Sequence, residues 1–280
     1  MIMLEILKAI LFGIVEGITE WLPISSTGHM IILDEFIKLN VREDFWSLFL
    51  VVIQLGAILA VVILYWNNIF PVNLTKKGEP FWKKDILLLW VKILIACVPA
   101  AVVGLLFDDL LDKYLYNFPC VATALIVFGI LFIVIETKKK GQAAAVNSVA
   151  ELSYKTVLFI GVFQLIAAIF PGTSRSGATI VGALLLSVSR VVAAEFTFYL
   201  AIPVMCGASL LKLMKFMMEG LAFTSAEIII LVTGCISAFI VSVLVIKLLM
   251  SYIKKHDFIP FGVYRIVLGA VLLIYFFVKL

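Results

Sequence analysis

Six apolar runs limit this chain to folds that cross a lipid bilayer. Crossing a hydrocarbon core of about 30 Å takes roughly 17 to 25 helical residues, and each run is of that length. The runs cover approximately residues 45–66, 85–107, 119–136, 195–213, 226–249 and 262–279. With 64% hydrophobic and 14% charged residues, the chain of 280 residues lacks the polar surface of a soluble domain. The sequence therefore predicts an all-α polytopic membrane protein.

The charged residues indicate how the spans are oriented. The net charge is only +4, and the lysines cluster in three segments between apolar runs: Lys76, Lys77, Lys83 and Lys84, then Lys138 to Lys140 with Lys155, then Lys254 and Lys255. By the positive-inside rule, these three segments are cytoplasmic. The loop 108–118 is acidic and is predicted to lie outside; its charged residues are Asp108, Asp109, Asp112 and Lys113. Such a pattern favours topology control, and we expect no nucleic-acid partner.

Two further regions, 1–40 and 154–190, each contain two apolar segments that are short for a full membrane span. A proline followed by a cluster of Ser, Thr and Gly interrupts each region at its middle. Non-helical backbone at membrane depth is tolerated only where it is buried in protein or lines a wet cavity. The breaks therefore predict two re-entrant helical hairpins around a site, with two ordinary kinked spans as the alternative.

The two broken regions are copies of one another. The stretch "GIVEGITEWLPISS" aligns with "GVFQLIAAIFPGTS" at a constant offset of 148 positions. The aligned pairs are Gly13 and Gly161, Glu16 and Gln164, Pro23 and Pro171, Ser25 and Thr173, and Ser26 and Ser174. Each copy, 1–150 and 151–280, joins one hairpin to three transmembrane helices, and because three is odd the second copy enters from the opposite side. This predicts an inverted-topology repeat, whose first hairpin opens to the outside and whose second opens to the cytoplasm.

The first break carries chemically active side chains. Glu16 and Glu20 lie one turn apart on one face of the helix that leads to the break. Carboxylates at this depth are costly, and an ionisable residue inside a membrane is a functional-site candidate by default. Three hydroxyl residues stand where the next helix begins and can cap it, namely Ser25, Ser26 and Thr27. His29 follows Ser26 by three positions and can share its face.

The second break repeats the arrangement and adds a cation. The stretch "PGTSRSGAT" places Thr173 and Ser174 at a second helix start, with Arg175 where the first copy has Thr27. Two helix N-termini, a group of hydroxyls and a guanidinium describe an anion site, and phosphate suits this geometry. The alternative is that Arg175 only pairs with a glutamate of the first break.

These two motifs, "EGITEWLPISSTGHM" and "PGTSRSGAT", resemble the paired signatures of the bacterial undecaprenyl-diphosphatase family, also called the bacitracin-resistance protein family. The similarity spans the whole chain and includes "VVIQLGA" at 51–57 and "EFTFYLAIPV" at 195–204. The resemblance implies a multi-pass phosphatase of the bacterial inner membrane, with its active site facing outside, that recycles the polyprenyl lipid carrier of cell-wall synthesis. The residues that the family ties to activity fall on Glu20, Ser26, His29 and Arg175. Those around them are Glu16, Ser25, Thr27, Thr173 and Ser174.

The residue types predict how such a reaction would proceed. Ser26 would attack the distal phosphorus, with His29 accepting its proton and Glu20 orienting His29. Direct attack by His29 is the rival mechanism. Arg175 and the free N–H groups of the two helices would hold the charge on the phosphate oxygens.

Three questions stay open from the sequence. Glu16 and Glu20 would repel a diphosphate, so a Mg²⁺ or Ca²⁺ ion held by both carboxylates and the phosphates is expected. A polyprenyl-phosphate flippase is the alternative function, because transporters also place broken helices of inverted repeats around a central site. The polyprenyl diphosphate substrate and membrane lipids are the expected partners, while a homodimer is left undecided.

Overall fold

The computed structural model describes residues 2–73, 80–115 and 117–279, and these residues are helical apart from turns and two isolated β-bridges. The helices are α1 (Ile2–Thr19), α2 (Ser26–Phe36), α3 (Glu43–Leu64), α4 (Trp66–Ile69), α5 (Lys84–Leu115), α6 (Phe118–Lys139), α7 (Tyr154–Ile169), α8 (Arg175–Leu185), α9 (Arg190–Met218), α10 (Ser225–Ile253) and α11 (Ile259–Lys279). A 3₁₀ turn, Val149–Glu151, precedes α7.

The six predicted spans are confirmed by length and composition. Six of the described helices are long and apolar enough to cross a membrane: Glu43–Leu64, Lys84–Gly104, Phe118–Lys139, Arg190–Met218, Ser225–Ile253 and Ile259–Val278. The prediction of an acidic loop over 108–118 is wrong in extent, because α5 continues as a helix to Leu115. Lys76 and Lys77, which belong to the predicted cytoplasmic segment, lie outside the described residues.

The outward faces of the long helices are apolar, as a lipid environment requires. On α10 the exposed apolar side chains recur at every fourth position: Ile228, Val232, Ile236, Ile240, Leu244 and Leu248. Residues four apart are offset by only about 40° around an α-helix, so these six form one continuous stripe that winds around α10 along its length. A stripe of this kind would be unstable in water and is suited to contact with acyl chains.

The order of elements repeats once along the chain. A pair of short helices and then three long helices occur first as α1, α2, α3, α5 and α6, and again as α7, α8, α9, α10 and α11. Packing between the halves is reciprocal, since α1 lies against α10 while α7 lies against α5, and α6 pairs with α11. The duplication with bounds at 1–150 and 151–280 stays a prediction from the sequence. The inverted relation of the copies and the re-entrant depth of the short helices stay predictions.

Two aligned glycines permit this reciprocal packing. A Cβ atom on Gly13 would lie 2.4 Å from the carbonyl oxygen of Gly234 in α10. A Cβ atom on Gly161 would lie 2.4 Å from the carbonyl oxygen of Ala96 in α5. Small residues let helix backbones approach closely in membranes, where packing rather than water drives association. The first helix of each short pair, α1 or α7, is therefore seated against a long helix of the other half.

The two helix pairs meet at the centre of the molecule through their turns. We call residues 20–25 the first tip and residues 170–174 the second tip. Helix α8, which follows the second tip, is buried from Ser176 to Leu184. Trp21 of the first tip is also fully buried, with its ring edge-on to Phe198 of α9 at 5.3 Å between centroids. The tips are thus held inside the protein, where their polar groups must be satisfied by protein or ligand.

Candidate active site

Each tip ends in a serine that caps the following helix. The Ser25 hydroxyl accepts a hydrogen bond from Gly28 N at 3.3 Å, and the Ser174 hydroxyl accepts one from Gly177 N at 3.2 Å. Both serines have positive φ, 74° and 69°, which is unusual for residues other than glycine. Strained backbone of this kind is commonly found at functional sites. It turns both helix starts toward a shared space.

The caps correct the alignment that was read from the sequence. Pro23 is followed by α2 after three positions, whereas Pro171 is followed by α8 after four, because the second tip has one more residue between its proline and the helix. Gly172 has φ +90° and accommodates the longer turn. Ser174 is therefore equivalent to Ser25 rather than to Ser26. Likewise, Arg175 is equivalent to Ser26 rather than to Thr27, and both are the first residue of their helix.

Glu20 joins these two equivalent residues. Its Oε2 accepts a hydrogen bond from Ser26 Oγ at 2.7 Å, and its Oε1 accepts one from Arg175 Nη2 at 3.1 Å. Glu20 is 5% exposed, so the three groups interact largely away from solvent. Arg175 also donates from Nη1 to the carbonyl oxygen of Thr197 at 2.9 Å. The ion pair between Arg175 and a first-break glutamate, foreseen as an alternative, is present.

Ser176, the second residue of α8, forms hydrogen bonds with the backbone of the first tip. Its hydroxyl lies 3.1 Å from the carbonyl oxygen of Glu20 and 3.4 Å from that of Leu22. It also lies 3.1 Å from the Ser174 hydroxyl. Ser176 therefore sets the distance between the two helix starts.

His29 does not make the contacts predicted for it. Its Nδ1 lies 2.7 Å from the carbonyl oxygen of Ser25, and its Nε2 lies 2.7 Å from the hydroxyl of Tyr264 in α11. The Ser26 hydroxyl instead donates to Glu20, whose two oxygens bind Ser26 and Arg175. The expectations that His29 accepts the Ser26 proton and that Glu20 orients His29 are therefore not supported by these contacts. Glu20 is the group placed to accept the Ser26 proton.

A second arginine, Arg265 of α11, forms hydrogen bonds with both tips. It is fully buried in α11, and its guanidinium donates to backbone carbonyl oxygens of both tips and of α6. The distances are 3.2 Å to Pro23, 3.1 Å to Gly172, 2.7 Å to Thr173 and 3.4 Å to Leu125. Each of these partners is a neutral carbonyl. None of them offsets the positive charge that the guanidinium brings to the helix starts.

Unsatisfied polar atoms surround the Glu20 network. Among the described residues, the buried side-chain atoms without a hydrogen-bond partner all belong to the two helix pairs and their tips: Glu16 Oε1, Trp21 Nε1, both amide atoms of Gln164, Thr173 Oγ1 and Arg175 Nε. A buried polar atom left unpaired costs about 1–3 kcal/mol. Such a cluster at two helix N-termini indicates a place for a polar ligand or ordered water.

The remaining predicted residues lie around the same centre. Glu16 is 1% exposed and its carboxyl lies beside that of Glu20. Thr173 is fully buried in the second tip, while Thr27 is partly buried at the second position of α2. The structure thus brings every predicted site residue to the two tips and the helix turns next to them.

Sequence reasoning missed Tyr264 and Arg265. Both stand in the last apolar run, which was treated as a plain span, although an arginine inside a span is itself a signal of function. The aligned amide Gln164 was found but given no role.

A metal centre made of protein ligands alone is not supported by the described residues. No group of three or more His, Cys, Asp or Glu side chains converges among them. Glu16 offers one unpartnered oxygen, whereas both oxygens of Glu20 are already hydrogen-bonded. Any ion here would need most of its ligands from substrate and water.

The chain matches one family model and closely similar relatives over almost its whole length. The family model described as "Bacitracin resistance protein BacA" matches residues 9–271. Undecaprenyl-diphosphatase 1 of Clostridium acetobutylicum is 62% identical over 275 residues, which is 98% of this chain and 98% of that protein. The undecaprenyl-diphosphatases of Desulfitobacterium hafniense and Enterococcus faecalis are each 60% identical, over 99% and 97% of this chain and 98% and 97% of theirs.

Proposed function

Because the chain belongs to the bacitracin resistance protein family, we propose that it is an undecaprenyl-diphosphatase, an integral membrane hydrolase. It converts undecaprenyl diphosphate to undecaprenyl phosphate and inorganic phosphate. The observation that carries this proposal is Glu20, which binds Ser26 on one oxygen and Arg175 on the other at the meeting point of two helix N-termini. This places a hydroxyl, a base and an anion-binding cation together.

The substrate has two chemically different parts, and the protein offers a matching surface for each. The diphosphate is an anion, and the free N–H groups at the starts of α2 and α8 favour negative charge. Arg175 Nε and Thr173 Oγ1 are buried donors without partners and can bind phosphate oxygens. The polyprenyl tail is apolar and belongs beside the apolar outer faces of the long helices.

In the first step, Ser26 attacks the distal phosphorus. A bond forms between Ser26 Oγ and that phosphorus, and the bond from phosphorus to the bridging oxygen breaks, so undecaprenyl phosphate leaves with the electron pair. The hydroxyl proton passes to Glu20 Oε2, which already accepts it at 2.7 Å between oxygens. Arg175 stabilises the charge that spreads over the equatorial oxygens, which is the main demand of phosphoryl transfer.

In the second step, water releases the phosphate from Ser26. The water oxygen bonds to phosphorus, its proton goes to a base, and the phosphorus–Oγ bond breaks as Ser26 regains a proton from Glu20. His29 is the base for this step, since Glu20 is protonated at that stage. A histidine nucleophile remains the rival mechanism, and the acid stability of the trapped phosphoenzyme separates the two.

A divalent cation, Mg²⁺ or Ca²⁺, belongs to the proposal in a narrower form than the sequence suggested. Glu16 would hold it through its unpartnered Oε1 together with phosphate oxygens, as Mg²⁺ sites commonly use few carboxylates plus substrate. Its contribution would be to offset charge between the carboxylates and the diphosphate. Arg175 pairs with Glu20 at 3.1 Å, and Arg265 adds a second positive charge bonded to both tips, so the need for a cation is reduced. Titration of chelator-treated enzyme with Mg²⁺ or Ca²⁺ tests this. Full activity without any divalent ion would contradict the proposed role of the cation.

The decisive experiment is phosphate release by the purified protein. Undecaprenyl diphosphate in detergent or lipid vesicles should yield inorganic phosphate and undecaprenyl phosphate, and a Ser26→Ala variant should serve as the matched control. The flippase alternative is not favoured, because the relatives are named as diphosphatases. Lipid transport by purified wild-type protein without phosphate release would revive it.

A further inference from the structure

The protonation pattern of His29 follows from its hydrogen bonds. A carbonyl oxygen can only accept, so the 2.7 Å contact with Ser25 O requires a proton on Nδ1. In the neutral ring, Nε2 is then the unprotonated acceptor, and the Tyr264 hydroxyl at 2.7 Å is its donor. His29 is therefore held as the Nδ1–H tautomer, with its basic nitrogen bound by tyrosine.

The relative orientation of the His29 and Tyr264 rings is also defined. The His29 and Tyr264 rings are parallel, with 1° between their planes and 5.6 Å between centroids. The two hydrogen bonds fix where Nε2 lies, and the parallel ring limits rotation of the imidazole. Tyr264 precedes Arg265 in α11, so the helix that binds both tips also sets the position of His29.

His256 provides a comparison within the same chain. Its Nδ1 lies 3.1 Å from the carbonyl oxygen four positions earlier, as in His29, and its ring stacks on Tyr252. His256 is exposed in the turn after α10. The two histidines thus share the Nδ1 contact, while the tyrosine hydroxyl on Nε2 is a feature of the site.

We infer that the Tyr264 hydroxyl serves the phosphatase reaction in two ways: it holds His29 Nε2 in place, and it passes the proton of the attacking water to that nitrogen. The inference rests on the proposed function and assigns His29 a base role separate from the Ser26–Glu20 pair. Ser26 gives its proton to Glu20, so His29 is not used in the first step. In the water step, the attacking water gives a proton to the Tyr264 oxygen while the Tyr264 hydroxyl proton moves to His29 Nε2. Without the hydroxyl, the ring loses the partner that defines where Nε2 lies.

The test is Tyr264→Phe, which keeps the ring and removes only the hydroxyl. Tyr275→Phe is the matched control, because Tyr275 lies on the same helix and its hydroxyl donates to Glu35 instead, at 3.1 Å. Tyr264→Phe should lower kcat roughly tenfold or more with little change in KM, since misplacing a catalytic group affects the chemical step. Tyr275→Phe should stay near wild type. Wild-type kcat in Tyr264→Phe would overturn the inference.

A spectroscopic measurement separates positioning from general damage. The chain has two histidines, so protein labelled with ¹⁵N in the imidazole rings gives few signals. In Tyr264→Phe the Nε2 signal of His29 should shift, while the His256 signals stay unchanged. A fall in kcat with unmoved His29 signals would show that Tyr264 does not act through His29 and would overturn the inference. If wild-type protein released no phosphate, the proposed function would fail, yet the His29 signals would still report the contact.

Discussion

At the scale of single residues, the site depends on one carboxylate that serves both halves of the chain. Glu20 binds Ser26 and Arg175, which are the first residues of two equivalent helices. The same structural position therefore carries a hydroxyl in one half and a guanidinium in the other. Divergence at this position gives the duplicated unit two different chemical groups facing one ligand.

Removing either member of the Ser26–Glu20 pair should abolish hydrolysis. Ser26→Ala loses the nucleophile and Glu20→Gln loses the base, so each should reduce phosphate release by at least about 10³-fold, and the double variant should be little worse than either single variant. Thr27→Ala is the control and should retain most activity, because Thr27 adjoins the pair without being its acceptor. Formation of an acid-labile phosphoenzyme in Ser26→Ala would transfer the nucleophile role to His29.

Replacing Arg175 by lysine should cause a large fall in turnover with the fold intact. Lysine keeps the charge but loses the planar fork, which here bonds Glu20 and Thr197 O and leaves Nε for a phosphate oxygen. The measurement is kcat for phosphate release, together with the thermal unfolding midpoint in detergent. Near-normal turnover in Arg175→Lys would mean that Arg175 acts only as a counter-ion to Glu20.

At the scale of elements, much of the architecture could be predicted because its cause is local. Six spans follow from the length of apolar runs, and the two tips follow from Pro23 and Pro171. The offset of the caps could not be predicted, because it depends on how Gly172 turns the chain between Pro171 and α8. The partner of His29 could not be predicted either, since Tyr264 is 235 positions away and only the packing of α11 brings it close.

The link between the tips should depend on Arg265. Arg265→Met leaves carbonyl oxygens of Pro23, Gly172 and Thr173 without their donor. A buried group that loses its partner costs about 1–3 kcal/mol, so both the unfolding midpoint and phosphate release should fall. Arg265→Lys should recover only part of either, because an ammonium group cannot bond several carbonyls as the planar guanidinium does.

The control for Arg265 is Lys254→Met, which removes an exposed cation beyond α10. It should leave the unfolding midpoint and turnover near wild type. Wild-type stability and activity in Arg265→Met would contradict the structural link. Inhibition of turnover by added inorganic phosphate provides a further measurement. A normal unfolding midpoint together with weaker inhibition would mean that Arg265 contributes to anion binding and not to the link between the tips.

At the scale of the whole molecule, reciprocal packing places the two tips at the centre, with α1 and α7 each seated on a long helix of the other half. Neither half alone contains the Ser26–Glu20–Arg175 network. Sequence alignment predicts the duplication because the tips retain similar residues. It gives no information on the charge supplied by Arg265. The stretch "RIVLGAVLL" at 265–273 resembles "LIVFGILFI" at 125–133, but the first half has Leu125 where the second has Arg265.

The orientation in the bacterial inner membrane is the last prediction. The lysine-rich segments place residue 140 in the cytoplasm, whereas residue 114 at the end of α5 and residue 219 after α9 should lie outside, on the side of the active site. Lys140, Tyr114 and Glu219 are exposed, so cysteines introduced there can react without unfolding.

In a background without Cys97, Cys120, Cys206 and Cys235, an impermeant thiol reagent applied to whole cells should label positions 114 and 219 but spare 140. Permeabilised cells provide the control, in which all three positions should react. Labelling of 140 alone in intact cells would reverse the orientation and place the substrate head group on the cytoplasmic side, while labelling of 114 without 219 would contradict the inverted repeat.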